Sequence, residues 1–337
     1  MAKITIKDVA REAGVSISTV SNALNDVNVL TPQTKQHVLE VAERLNYIPD
    51  LRGKNLKSSK TEMIGFFTTT VGGAYFHVLV ESMARECERQ GYGLNIFVSN
   101  NKKVMTNNLF SGTIDGALIF SFEHIKEREV EIIKSHKLNS VFLDREIQTD
   151  HIGSVLFDSY NSGYEATSYL IHLGHRSIVY IEGSAETYDN SQRKAGYMEA
   201  LKDNGIKPNP DYIIRGFYVK EGGYNAVKEF IREYPGDIPD AFLAGNDLSA
   251  IGCIEALESE GLRVPEDISV MGFDDIQIAQ YHEPSLSTVR NSIARQGVLS
   301  VQHVINMIEG KETGKIQKLP GKIIGRDSSV IRTRSRD

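Results

Sequence analysis

The 337-residue sequence predicts two fold classes in one chain: an all-α helix-turn-helix headpiece, and an α/β core of two doubly wound parallel-sheet lobes. Three observations predict this. The first 50 residues carry three short apolar patterns of helical period, each with start and stop signals. From Met63 onward, short apolar runs alternate with helical patterns, and the series restarts after Ile152–Phe157. The charge divides in the same way. Residues 1–60 hold nine Lys/Arg and six Asp/Glu, a balance of +3, so the remainder carries −9 of the total −6. At 40% hydrophobic and 24% charged, the bulk is excluded from disordered, collagenous and coiled-coil classes.

The headpiece elements follow from caps and faces. Thr5 and Asp8 form a capping arrangement, Val9, Ala10 and Ala13 make an apolar face, and Gly14 stops the helix. Ser16 caps a second helix from Ile17 to about Leu24, with Val20, Ala23 and Leu24 inward. Thr31-Pro32 opens a third, with Val38, Val41, Ala42 and Leu45 inward. Two short helices about an Ala-Gly-Val-Ser turn, with a supporting third, make a helix-turn-helix. The outward positions of the second helix are Ile17, Ser18, Ser21, Asn22 and Asn25, short and uncharged. Such a surface suits a major groove, where Asn pairs with adenine and Ile meets a thymine methyl. Lys3, Thr19, Thr34 and Lys35, with the helix N-termini, are placed for phosphates, and Thr5, Ser16 and Tyr47 are also expected at the DNA interface. The pattern alone also allows a three-helix knob that binds a protein.

Residues 5–25, Thr-Ile-Lys-Asp-Val-Ala-Arg-Glu-Ala-Gly-Val-Ser-Ile-Ser-Thr-Val-Ser-Asn-Ala-Leu-Asn, resemble the LacI/GalR family headpiece. So does Val-Leu-Glu-Val-Ala-Glu-Arg-Leu-Asn-Tyr-Ile-Pro at 38–49. The resemblance implies that Ile17, Ser18 and Asn22 read an operator. Asn22 stands where many members have Arg, which implies a different base. Residues 50–60 match the family's hinge, with Leu56 as the minor-groove wedge and Lys54 in place of the usual Arg. Asp50 replaces the common Asn, and Gly53 the common Ala, at about 0.8–1 kcal/mol of helix propensity. A hinge that is less helical off DNA than the family norm is therefore expected. Hydrogen exchange tests it: equal protection of 50–57 with and without operator would count against it.

In the core, strands are predicted at Met63–Phe67, Leu94–Val98, Ala117–Phe120, Ser140–Leu143 and Ile152–Phe157. A second series runs Ser177–Ile181, Tyr212–Ile214, Ala241–Leu243 and Ile268–Met271. Ligands of such folds sit beyond the strand C-termini. Leu170–Gly183, Gly245-Asn246-Asp247 and Val264–Asp275 match further family blocks, so the similarity spans nearly the whole chain. It implies a periplasmic-binding-protein-like core crossed three times between lobes. The implied domains are a headpiece at 1–49, a hinge at 50–60 and a core at 61–337. The N-lobe would be about 62–158 and 291–320, and the C-lobe about 159–290 and 321–337.

Tyr75, Phe76, Asp144, Arg145, Arg193, Phe217, Asn246, Asp247 and Asp274 fall at strand ends or helix starts facing the predicted cleft. Carboxylates, Asn and Arg together hold hydroxyls in fixed geometry, while aromatic faces stack on C–H surfaces. That is the chemistry of a sugar or sugar-phosphate effector. Capping is the alternative for each, most of all for Asp247 and Asp275. The family's Asn-Pro before Tyr75-Phe76 is replaced by a loop with Gly72 and Gly73, and the chain has no Trp.

No nucleotide loop or nucleophile elbow is found, so an enzyme is not expected, nor a catalytic residue or cofactor. Cys87 and Cys253 read as two buried thiols. His172 and His175 flank Gly174 at a helix end and lack a third ligand, so no metal site is expected. No membrane-length apolar run occurs, and Asp8 and Glu12 sit where a signal peptide is apolar, which predicts a cytoplasmic protein. The expected partners are pseudo-palindromic double-stranded operator DNA, a carbohydrate effector and a second copy in a homodimer. A phosphocarrier protein acting as corepressor, as in catabolite-control members, is the alternative. The C-terminus has no heptads, so a tetramer zipper is not expected.

Overall fold

The computed structural model describes residues 4–332 apart from 26, 49–59, 185 and 237. Lys3, Lys54 and Leu56, and the expectation about hinge helicity, lie outside the described residues. The chain divides into two compact units between Thr61 and Glu62.

The first unit is built from α1 (Ile6–Ala13), α2 (Ile17–Leu24) and α3 (Pro32–Arg44). Its caps are those the sequence predicts. Thr5 and Asp8 form a capping box, Ser16 Oγ accepts from Thr19 N, and Thr31 Oγ1 accepts from Thr34 N. Gly14 takes a left-handed conformation (φ 65°) that lets the chain turn from α1 into α2. Val9, Val20 and Val38 are fully buried at the centre, one from each helix, with Ala10, Ala13, Ala23, Val41 and Ala42 around them. Helices this short are marginal alone, so this shared core is what holds them.

In the second unit, one sheet uses β1 (Met63–Thr68), β2 (Gly93–Val98), β3 (Gly116–Phe120), β4 (Ser140–Phe142), β5 (Ile152–Phe157) and β11 (Ile316–Leu319). Their spatial order is β11-β5-β4-β3-β1-β2, all parallel. The other uses β6 (Ile178–Glu182), β7 (Ile213–Arg215), β8 (Ala241–Ala244), β9 (Ser269–Asp274), β10 (Ser287–Arg290) and β12 (Lys322–Ile324), ordered β12-β10-β9-β8-β6-β7. The chain passes from one sheet to the other after β5, after β10 and after β11. Two details depart from the sequence reading. Asn209 caps a 3-10 turn at Pro210–Tyr212, which displaces the predicted Tyr212–Ile214 strand to β7. And β12 runs antiparallel to β10, so this sheet is not purely parallel. The reason is topological: β11 ends at the cleft, so the strand that continues into the opposite lobe must run away from it.

Both sheets are covered on both faces. In the N-lobe, α4 (Gly73–Arg89) and α11 (Ile293–Ile308) supply Leu79, Met83, Val301 and Val304 to one face. On the other, α5 (Lys102–Leu109) and α6 (Glu127–Ser135) supply Met105, Leu109, Val130 and Ile133. In the C-lobe, α7 (Ser159–His172) and α8 (Tyr188–Asp203) cover one face, and α9 (Lys220–Glu233) and α10 (Asp247–Ser259) the other. Each of these helix pairs meets at glycine. A β-carbon on Gly163 would collide with the Arg193 carbonyl, and one on Gly252 with the Lys220 carbonyl. Gly252→Ala is therefore expected to cost about 1–3 kcal/mol, read as a lower urea midpoint at unchanged slope.

Cys87 and Cys253 are buried in these cores. Burial, reinforced by Glu86, pushes the Cys87 thiol up to about 12, which keeps it unreactive. Gly174 (φ 94°) ends α7 between His172 and His175, and the described residues hold no group of three metal-ligating side chains. No helix among them is long and apolar enough to cross a membrane.

Candidate functional site

In the headpiece, α2 presents an uncharged surface. Ile17 is 45% exposed on this surface. Ser16 and Ser18 are exposed, and Thr19, Ser21 and Asn22 partly so. Ser16 Oγ lies 2.7 Å from Ser18 Oγ and 2.8 Å from Thr19 Oγ1, which orders the first turn. Asn25 Nδ2 donates to the Ser21 carbonyl at 2.8 Å, so this pair finishes the helix. Thr5 donates to Asp8, and Thr34 lies 2.9 Å from Thr31 at the α3 cap. Lys35 is partly exposed near that cap, and Tyr47 packs against the headpiece core.

In the second unit a cavity of about 300 Å³ opens between the lobes, at the C-terminal ends of both sheets. The N-lobe supplies an aromatic wall. Tyr75, Phe76 and Phe120 pack with ring centroids 5.1–5.9 Å apart, and Phe122 and Phe157 extend it. Tyr75 is oriented by donating to Gln296 Oε1 at 2.9 Å, and Gln296 donates to the Val155 carbonyl. The wall begins where Gly72 and Gly73 open α4, leaving bare backbone on the cavity.

Asp144, just beyond β4, brings a buried carboxylate into this wall. Neither oxygen has a hydrogen-bond partner, and the nearest cation, Arg145 Nε, lies 3.6 Å away. Burial, partly opposed by Arg145, raises the group from 3.8 to about 6. Because the folded value is the higher one, its contribution to stability is complete below pH 3.8 and is lost as pH rises through 6. Asp144→Asn should therefore raise the melting temperature at pH 7–8, by up to ~3 kcal/mol in stability, and change little at pH 4.

The C-lobe supplies a polar cluster. Arg193 on α8 donates from Nη1 to the Gly245 carbonyl at 2.5 Å, and its Nη2 lies 3.7 Å from Asp274 Oδ1. Its guanidinium covers the Phe273 ring at 4.8 Å. Asp274 also accepts from Asn291 Nδ2 at 2.9 Å, and burial outweighs these partners to raise its carboxyl. Its backbone is held at φ 103°, a strained position for a side chain with a β-carbon. Asp189, one helical turn before Arg193, accepts from Ser159 Oγ at 2.6 Å. Tyr188 spans the lobes, donating to Glu146 Oε2 at 2.8 Å, while Lys318 holds the same oxygen at 2.8 Å.

Of the residues predicted for this cleft, Tyr75, Phe76, Asp144, Arg193, Asn246, Asp247 and Asp274 line the cavity. Besides Tyr75, Arg193 and Asp274, whose partners are given above, two more of these are engaged. Asn246 caps α10 through Ser249 N and donates to the Tyr218 carbonyl. Asp247 ties Thr288 Oγ1 and Ile276 N together at 2.6 and 2.9 Å, as an internal anchor rather than the cap. Asp275 joins Arg290 and Arg326, away from the cavity.

Two predicted residues lie outside the lining. Arg145 is laid over the Phe122 and Phe142 rings, 5.4 and 5.1 Å from their centroids. Phe217 is 59% exposed. It and Tyr218 are both left-handed (φ 56° and 63°), and it is Tyr218 that enters the lining, with its hydroxyl unpartnered. Asp189 and Tyr188 were not foreseen. The four-residue spacing from Asp189 to Arg193, on one helix face, was the available signal.

A helix-turn-helix unit joined to a two-lobed cleft defines a class, the DNA-binding regulators with a ligand-sensing core, and the comparisons agree. A family model described as "Bacterial regulatory proteins, lacI family" matches residues 5–50, and one described as "Periplasmic binding protein-like domain" matches 167–329. The HTH-type transcriptional repressor PurR of Histophilus somni (strain 129Pt) is 33% identical, over 97% of this chain and 99% of that protein. The probable HTH-type transcriptional repressor ExuR of Bacillus subtilis (strain 168) is 34% identical, over 94% and 95%. A lac repressor dimer bound to operator and the anti-inducer ONPF superposes with a TM-score of 0.85, covering 98% of this chain and all of that one at 24% identity. The chain belongs to the LacI family of bacterial regulatory proteins.

Proposed function

We propose that the chain represses a carbohydrate-utilisation operon, and that a sugar or sugar phosphate bound between the lobes switches its operator affinity. The observation that carries this is the cleft itself: a bare buried carboxylate, an Arg–Asp pair and an aromatic wall meet at the ends of two sheets. Ile17, Ser18 and Asn22 read base edges, and the other polar groups at the ends of α1 to α3 hold phosphates. Two copies pair through both lobes and set two headpieces on a pseudo-palindromic site. Apolar side chains left in water support this pairing. Ile96 and Val98, 42% and 48% exposed, lie on the edge strand β2, and Tyr281, 72% exposed, lies on the C-lobe. An effector that binds one lobe arrangement better shifts the equilibrium and moves the hinge anchors near residue 60. Such a protein works in the cytoplasm, beside the DNA.

Selection of bound sequences from a random DNA pool, followed by release with a panel of sugars, tests the proposal. A palindromic site that a sugar releases or tightens is the expected result. Failure to enrich any palindrome would overturn the assignment of Ile17, Ser18 and Asn22. A response to a phosphocarrier protein and to no sugar would overturn the role given to the cleft.

A further inference from the structure

The cleft also carries information about the charge of what it binds. Among its described lining residues are six carboxylates, those of Glu123, Asp144, Glu186, Asp189, Asp247 and Asp274, and a single cation, Arg193. That cation is partly engaged within the protein: it faces Asp274 at 3.7 Å, donates from Nη1 to Gly245 and covers Phe273, while its Nε has no partner. The first turn of α8 contains Asp189, so its dipole meets a carboxylate of the chain itself, whereas that of α4 contains no acidic residue. Glu123 and Glu186 are exposed at the rim, where they repel an approaching anion.

The unsatisfied groups on this lining are the Asp144 carboxylate, Arg193 Nε and the Tyr218 hydroxyl. Asp144 is 6% exposed, neither oxygen is paired by a hydrogen bond, its one nearby cation is Arg145 Nε at 3.6 Å, and it shares the lining with Phe120, Phe122 and Phe157. A pair of ligand hydroxyls satisfies such a group, and a phosphate or carboxylate does not. We infer that the effector is an uncharged sugar, and that Asp144 and Asp189 exclude its phosphorylated and acidic counterparts. This rests on the reading of the cleft as the effector site, and within that reading it chooses the free sugar over the sugar phosphate.

The test uses the full chain, with thermal shift and operator competition as readouts. Glucose, galactose, ribose and cellobiose are compared with glucose 6-phosphate, galactose 6-phosphate, ribose 5-phosphate, glucuronate and galacturonate. At least one free sugar should bind, with its anionic counterpart at least ~100-fold weaker, as like-charge juxtaposition demands. Asp144→Asn and Asp189→Asn are each expected to narrow that ratio to ~10-fold or less, because removing one charge removes part of the repulsion. Either variant suffices if the other does not fold. An anionic counterpart that binds as well as its parent sugar overturns the inference and leaves the cleft as the effector site. An unchanged ratio in both variants overturns the role of the two carboxylates. If no compound of either charge binds, the effector cleft itself is wrong and the inference falls with it.

Discussion

Val20→Asp is expected to abolish operator binding and to leave the core unit folded. Val20 has no exposure and sits where the three headpiece helices meet. A carboxylate there has no partner, and burying an unpaired polar or charged group costs at least several kcal/mol. A unit this small has only a few kcal/mol to lose, because it buries a modest fraction of its surface. Operator affinity should fall more than ~1,000-fold, the equivalent of about 4 kcal/mol. The melting transition of the second unit and its response to effector should not move, since the headpiece core draws only on headpiece residues. Asn22→Ala is the informative companion. It leaves the helix intact and should alter preference at one base position by about 1–3 kcal/mol. A Val20→Asp protein that still bound operator would mean that this helix is not the DNA reader.

The second large effect is expected at Arg193. Arg193→Ala removes the cation facing Asp274 and leaves the carboxylate, at 12% side-chain exposure, with only Asn291. Breaking a buried pair from one side costs about 3–5 kcal/mol. Loss of Arg193 raises the Asp274 carboxyl further, and a raised carboxyl loses its stabilising contribution as pH climbs through its folded value. The deficit in Arg193→Ala should therefore be larger at pH 8 than at pH 4, measured by urea unfolding at each pH. Adding Asp274→Asn should recover much of the stability at pH 8 without recovering effector response. Recovery of both would reduce the pair to a purely structural tie.

The headpiece was the most legible part of the chain. Its information is local: caps at Thr5, Ser16 and Thr31, a stop at Gly14, and one valine per helix at the right phase. The order of strands and helices was legible for a similar reason, because buried parallel strands are short apolar runs that helical patterns separate. Strands β10 to β12 carried no such mark. Ser-Thr-Val-Arg, Ile-Gln-Lys-Leu and Lys-Ile-Ile are three or four residues long and become strands only through partners far away in sequence. The cleft was legible where a strand end fixed the geometry, as at Asp144 and Asp274. It was not where a side chain had to choose a direction. Nothing in Gly-Phe-Tyr says that Tyr218 turns inward and Phe217 outward. Nor does Asp-Arg at 144–145 say that the arginine lies across two phenylalanine rings rather than toward a ligand.

The three passages between the sheets have a consequence for how the protein is made. Synthesis delivers the chain from its N-terminus, and domains generally fold as they emerge. The headpiece is contiguous and can close as soon as α3 is out. The N-lobe cannot: α11 covers one face of its sheet with Val301, Val304 and Ile305, and β11 completes its edge beside β5. Both are translated after β6 to β10 of the other lobe. Until the ribosome reaches residue 319, the earlier lobe waits with Leu118 and Val155 of its sheet uncovered. The C-lobe has its first five strands and all four covering helices by residue 290. The nascent chain is therefore expected to assemble most of the later lobe before the earlier one can close, and both finish only when β11 and β12 have emerged.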